Sequence, residues 1–221
     1  MENIAKTIDH TNLIAGAEVK DIIQTCLEAK QYGFRGVCIN PKWVGLVKKE
    51  LKNTEIKTVT VIDWPCGASP TEVRVFAAKS AKKDGADEID PVLDIGNLRM
   101  GNYDAVLKDL KALAKILPTK VIIETGFLSE EQIRKASELV KKSGAICVKT
   151  STGLDPKIDV NTKVLHVKLM REAVGNDFLI KAAGGIKTIE DAKKMIEAGA
   201  DIIGTSSSLK ILGISPEEGN Y

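Results

Sequence analysis

Apolar positions along this chain fall into two alternating rhythms. "SEEQIRKASELV" sets Ile133, Ala136 and Val140 on one face at helical spacing, whereas runs such as that in "AICVK" are short, apolar and rich in residues that favour an extended strand. The changeovers are punctuated. "YGFRGVCIN", "DGADEIDPV", "SGAICVKT" and "AGADIIGT" each put a glycine where a helix needs a left-handed cap, then an apolar run. Helix starts are equally legible: Asn40 before Pro41, a capping box in Ser69–Pro70–Glu72, Ser129 with Gln132 three residues on, and Thr188 opening a helix that Gly199 ends.

Eight extended runs result, at 7–10, 35–40, 57–63, 88–93, 120–124, 146–149, 178–181 and 202–205. Strands that alternate with helices imply a parallel sheet. Eight of them predict an α/β fold of the (β/α)8, or TIM-barrel, type occupying one domain over residues 1–221, small beside the roughly 250 residues usual for it. A doubly wound open sheet is the alternative, weakened because the dinucleotide fingerprint GxGxxG is missing.

In a barrel, alternate side chains point inward, and active sites sit at the carboxyl ends of the strands. With Ile146 and Val148 outward, Cys147 and Lys149 face the axis; with Ile180 and Ala182 outward, Leu179 and Lys181 do. Ile89 outward sends Glu88 and Asp90 inward, and Ile122 is taken as outward with Glu124 inward. Lys149, Lys181, Asp90 and Glu124 then converge on one mouth, a placement that a slip of one residue would invert. A lone lysine at a strand end is ordinarily solvated, and four charges can form a plain salt-bridge cluster, with Glu124 only orienting a lysine. If the cluster is functional, paired lysines suggest a Schiff base. A free lysine titrates at about 10.4 and is an ammonium at neutral pH; a second ammonium and partial desolvation favour the nucleophilic amine. Reaching a pKa of about 7–8 takes about 3–5 kcal/mol, and either Lys149 or Lys181 fits the role.

"KAAGGIKT" and "IGTSSSLK" are glycine- and hydroxyl-rich loops after the seventh and eighth runs, where barrels bind phosphate through backbone N–H groups. Gly184 and Gly185 allow close backbone approach, Ser206 and Ser207 add hydroxyls, and Gly153 closes a third side. A glycine pair alone is also simply a turn with a helix cap.

Composition narrows the partners. Thirty-two basic against thirty acidic residues give a net charge of +2, which argues against nucleic acid, and no apolar run is long enough to span a membrane. Residues 1–10 lack a signal peptide's basic start and apolar middle, so a cytoplasmic protein is expected. Cysteines at 26, 38, 66 and 147, and histidines at 10 and 166, have no metal-site or disulfide spacing; reduced thiols, no metal and no cofactor are expected.

"IDHTNL", "YGFRGVCINP", "GADEID", "KVIIETG", "VKTSTG", "KAAGGIKT" and "IGTSSS", in order along nearly the whole chain, resemble the deoxyribose-phosphate aldolases. The resemblance implies a metal-free class I aldolase, a lyase that reversibly cleaves 2-deoxy-D-ribose 5-phosphate into acetaldehyde and D-glyceraldehyde 3-phosphate, on a TIM barrel that assembles as a homodimer or homotetramer. It implies Lys149 as the Schiff-base lysine, Lys181 as the lysine that perturbs it, Asp90 as the proton relay, and Gly153, Gly184, Gly185, Gly204, Ser206 and Ser207 as the phosphate site. Asp63–Trp64, Pro91, the stretch after TSTG from Leu154 onward, and Ser208 depart from the family pattern. A phosphate-binding barrel isomerase using a carboxylate base and no covalent lysine is the rival enzyme; a barrel kept for binding or regulation would lack one of the lysines.

Overall fold

Strands and helices alternate throughout the computed structural model, which describes residues 4–154 and 158–214. In chain order they are β1 (Ile8–Asn12), α1 (Val19–Tyr32), β2 (Gly36–Ile39), α2 (Val44–Glu50), β3 (Lys57–Ile62), α3 (Thr71–Asp84), β4 (Glu88–Pro91), α4 (Ile95–Arg99), α5 (Tyr103–Ala114) and β5 (Lys120–Ile122). They continue with α6 (Glu130–Lys142), β6 (Cys147–Lys149), α7 (Val160–Val174), β7 (Leu179–Ala183), α8 (Ile189–Glu197), β8 (Ile202–Thr205) and α9 (Ser208–Ile211). All eight strands pair in parallel, in the order β4-β3-β2-β1-β8-β7-β6-β5. Bridges Ile89–Thr119 and Val92–Ile122 join β4 to β5 and close the (β/α)8 barrel. The open-sheet alternative is thereby excluded.

Pro91 marks that closing seam. Ile89 N–H donates to Pro118 O at 3.0 Å and Leu93 N–H to Ile122 O at 2.8 Å. The rung between them would start from residue 91, and a proline has no N–H to give. The ladder therefore skips there.

Period two sorts the strands cleanly. Ile8, Val37, Ile39, Ile89, Val121, Ile123, Val148, Ile180, Ala182 and Ile203 are buried in one apolar cluster with the helices' inner stripes, among them Ile133, Ala136 and Val140 of α6. Inside the barrel a small apolar group, Cys38, Val59 and Val61 with Trp64 and Leu13 against it, lies beside a charged column. The phase inferred for residues 120–124 is corrected here. Val121 and Ile123 face the helices, so Lys120 and Ile122 point inward. The alternation ends at Glu124, whose backbone is left-handed, with φ at 49°, and the chain turns there into a short 3-10 turn.

Two of the four helix starts read from the sequence carry their side-chain caps and two do not; Asn40 opens a short 3-10 turn, Pro41–Trp43, and its side chain makes no capping bond. Ser129 with Gln132 forms a capping box, and Thr188 caps α8 with Asp191 as its reciprocal partner. Ser69 does not cap α3: its N–H and hydroxyl are both taken by Asp63, at 2.9 and 2.7 Å. Asp63 thus ties the β3–α3 turn and does not enter the mouth. Among the described residues no helix is long and apolar enough to cross a membrane.

Candidate active site

Within the barrel, β1, β4, β5, β6 and β7 each direct ionised side chains to the axis. Lys149 Nζ donates to Asp90 Oδ2 at 2.8 Å, and Lys181 Nζ donates to the same oxygen at 2.9 Å. The other Asp90 oxygen lies 2.9 Å from Lys120 Nζ. Below them Lys181 reaches Asp9 at 2.5 Å, Lys120 reaches Glu88 at 2.5 Å, and Arg35 bridges Asp9 and Glu88 at 2.8 and 2.6 Å. Four cations thus meet three carboxylates along one column. Two glycines make room for it. A Cβ at Gly36 would stand 2.9 Å from Asp9 Oδ1, and one at Gly204 only 2.8 Å from Lys181 Cε.

Asp9, Asp90, Lys120 and Lys181 are fully buried, so each charge depends on its neighbours for solvation. Burial alone would raise the pKa of Asp90; the ammoniums of Lys120, Lys149 and Lys181 overcome it and hold the carboxyl well below its usual range. Asp9 is lowered against the same burial by Lys181, Lys120 and Arg35, and Glu88 by Lys120 and Arg35. Burial pulls Lys181 down, but Asp9 and Asp90 outweigh it and raise its pKa above the ordinary lysine value. It therefore remains an ammonium across the neutral range.

These shifts carry a stability consequence. Carboxyls depressed in the folded state stabilise it fully above their ordinary values of 3.8 and 4.5. Below those values the unfolded chain takes up protons that the folded one refuses, at about 1.4 kcal/mol per unit of depression. We expect the urea midpoint to hold from neutrality to about pH 5 and to fall steeply towards pH 3. A midpoint independent of pH over that range would contradict the ion-pair column. Lys181 contributes with opposite sense, its stabilisation being lost only as pH rises past 10.5.

Above the column opens a cleft of about 620 Å³. Lys149 stands at its floor, whereas Lys181 and Asp90 lie beneath the lining. The rim brings together Gly153, Gly184, Gly185, Gly204, Ser206 and Ser207, the residues singled out in three separate loops. Gly153 and Gly184 have φ of 91° and 82°, and a Cβ on Gly184 would stand 3.0 Å from the Gly153 Cα. Two backbones pass at contact distance there, in a conformation that side chains disfavour. The N–H groups of Gly153, Gly184, Gly185 and Ser206 make no hydrogen bond to any described residue, which leaves them open to an anion. Glu124 supports this rim from below. Its carboxylate accepts the Thr152 N–H at 2.9 Å, and burial pushes its pKa up.

The departures now have places. Trp64 walls the cleft and donates its indole N–H to Thr152 O at 3.4 Å. Ser208 is buried, with its hydroxyl 2.8 Å from His10 Nδ1, while His10 Nε2 meets Glu28 at 2.8 Å. Of the changed stretch after TSTG, residues 155–157 lie outside the described residues. Sequence reasoning missed Asp9, Arg35 and Lys120. Phasing the fifth strand on Val121 and Ile123 would have turned Lys120 inward; Asp9 and Arg35 carried no comparable signal.

Barrel and cleft together define the class: a (β/α)8 barrel with a cleft at the carboxyl ends of its strands and a column of ionised groups beneath it. A family model described as DeoC/LacD family aldolase matches residues 3–213, and the chain belongs to that family. The deoxyribose-phosphate aldolase of Thermococcus gammatolerans is 50% identical over 217 residues, covering 95% of this chain and 95% of the relative. That of Thermococcus kodakarensis is 49% identical over 222 residues, covering 97% and 98%. The solved structure of deoxyribose phosphate aldolase from Aeropyrum pernix, described as tetrameric, matches with a TM-score of 0.86 at 30% identity, over 95% of this chain and 89% of that one.

Proposed function

We propose that this aldolase cleaves 2-deoxy-D-ribose 5-phosphate reversibly to acetaldehyde and D-glyceraldehyde 3-phosphate through a Schiff base on Lys149. The observation that carries the reading is the shared Asp90 oxygen: two lysines meet on it, and Lys149 is the one at the floor of the cleft. The activity named for the relatives supports the choice of substrate.

The substrate's phosphate settles among the open N–H groups of Gly153, Gly184, Gly185 and Ser206, with the Ser206 and Ser207 hydroxyls beside them. Gly204 adds a side-chain-free wall and leaves Lys181 its space. Anchored there, the sugar extends its C1 aldehyde down to Lys149. Lys149, an ammonium on Asp90 at rest, first gives up a proton to the solvent of the cleft; the free amine attacks C1, and loss of water gives an iminium that draws electrons from the bond one carbon away. Carbon balance sets which bond breaks. A two-carbon and a three-carbon product require cleavage between C2 and C3, with the C3 hydroxyl proton removed as its oxygen becomes the new aldehyde. The enamine left on Lys149 takes a proton at C2, and water releases acetaldehyde. Asp90 and Lys181 form the relay for these protons, each within 3 Å of the next group. No residue in this scheme calls on a cofactor or a metal.

Borohydride reduction in the presence of substrate tests the reading. Peptide mapping is expected to place the reduced two-carbon or sugar adduct on Lys149 and nowhere else. Turnover with no trapped lysine would exclude the covalent route and favour carboxylate-based isomerase chemistry.

We further propose a homodimer or homotetramer, on the analogy of the tetrameric Aeropyrum protein, and a reducing, cytoplasmic setting. The second point is supported by four cysteines that are all unpaired, three of them buried.

A further inference from the structure

Beneath the glycine rim lies a cation that the reaction scheme does not use. Lys163, in the first turn of α7, is only 4% exposed. Its ammonium donates to Ala183 O at 3.0 Å and to Gly184 O. Among the described residues it forms no ion pair, and these two carbonyls are its hydrogen-bond partners. Burial pushes its pKa down, against the opposing pull of the Glu124 carboxylate. Burying an ammonium on carbonyl oxygens alone is costly, and an anion close by would offset that cost.

The geometry says what the ammonium does. In a planar trans peptide, C=O and N–H point in opposite directions. Holding the carbonyls of Ala183 and Gly184 from below turns the N–H groups of Gly184 and Gly185 away from Lys163. Both glycines line the cleft, and neither N–H is taken by a described residue. A Cβ on Gly184 would stand 3.2 Å from Lys163 Nζ and 3.0 Å from Gly153 Cα, so the ammonium lies where the two rim loops converge. Lys187 also lines the cleft, but it is exposed, and solvent screens its charge in a way that a buried ammonium escapes.

We propose that Lys163 is the positioning residue of the anion site: it sets the peptide planes of the Gly184–Gly185 turn and supplies a buried positive charge that a phosphate neutralises. The inference rests on the reading of this cleft as the site of the substrate's phosphate. Lys163 itself touches neither the phosphate nor the reacting carbons; it acts through the rim's backbone.

The test uses the full-length chain with Lys163→Met, Lys163→Gln and Lys163→Arg. Circular dichroism and urea midpoints identify which variants are folded; the polar Gln replacement keeps a donor to the carbonyls if the Met variant is unstable. Two quantities are read: the inhibition constant of inorganic phosphate, and the ratio of kcat/KM for 2-deoxyribose 5-phosphate to that for unphosphorylated 2-deoxyribose. In the Met and Gln variants the inhibition constant is expected to rise and the ratio to fall, each by roughly tenfold, mainly through KM, with partial recovery in Lys163→Arg. A folded variant in which both quantities stay within about twofold of the parent overturns the proposal. So does a loss that falls equally on the two sugars, which would make Lys163 purely structural. If instead the parent enzyme is not inhibited by phosphate and does not prefer the phosphorylated sugar, the phosphate reading of the cleft is what fails, ahead of any role for Lys163.

Discussion

Replacing Lys149 with methionine is expected to lower kcat/KM by about 10⁴-fold or more while leaving the fold intact. The activity loss follows from removing the group proposed to form the covalent intermediate, a role no neighbouring lysine can take up. Lys120 and Lys181 are fully buried beneath the floor, Lys120 among three carboxylates and Lys181 between two, whereas Lys149 faces the cleft and among the described residues pairs with Asp90 alone. The intact fold follows from charge. Four cations share three carboxylates, so losing Lys149 removes the surplus charge, and Asp90 keeps both of its remaining partners. The stability change should stay within about 1 kcal/mol, read from the urea midpoint. Residual activity above about one part in a hundred, in protein free of wild-type contamination, would show that Lys149 is not the nucleophile.

Asp90→Asn is the contrasting case, expected to damage both activity and stability. Its carboxylate is the single counter-ion that Lys120, Lys149 and Lys181 share. Neutralising it leaves four cations with two carboxylates inside the barrel. Breaking a buried pair in this way costs about 3–5 kcal/mol, or roughly 6–20 °C in Tm for a chain of this size. The relay also loses its acceptor, which should lower kcat by about 10²–10⁴-fold. Because the amide preserves shape and most of the packing, the cost isolates the charge. A Tm unchanged within about 2 °C would mean that the column is not held together by this carboxylate.

The architecture was legible because most helix-to-strand passages are marked by a glycine, at Gly33, Gly85, Gly144, Gly175 and Gly199, and most strands by an apolar run. Phases anchored on Ile89, Val148 and Ile180 aimed Asp90, Lys149 and Lys181 correctly, since all three anchors are buried on the helix side. The fifth strand was read with Ile122 outward, and this concealed Lys120. Here a buried apolar residue faces the axis, which hydrophobicity alone cannot distinguish from facing a helix. Asp9 was invisible for another reason. Its partner Lys181 lies 172 residues away, and a carboxylate in a short strand carries no local sign of such a pairing. Lys163 hid in an amphipathic helix, where a long aliphatic stem passes for part of the apolar face. The Ser69 capping box failed because Asp63, six residues earlier, competes for both its N–H and its hydroxyl.

The rung that Pro91 removes gives the barrel two unlike seams. Where β1 meets β8, three consecutive residue pairs lie in register. Where β4 meets β5, isolated bridges flank a gap, and across that gap Lys120 reaches Glu88 at 2.5 Å and Asp90 at 2.9 Å. The last closure of the cylinder is therefore fastened by side-chain charge where peptide hydrogen bonding lapses. The molecule is an eight-strand ribbon whose meeting ends are joined by backbone bridges and, at the rung Pro91 omits, by an ionic clasp, and one jaw of that clasp is the carboxylate we propose for the proton relay.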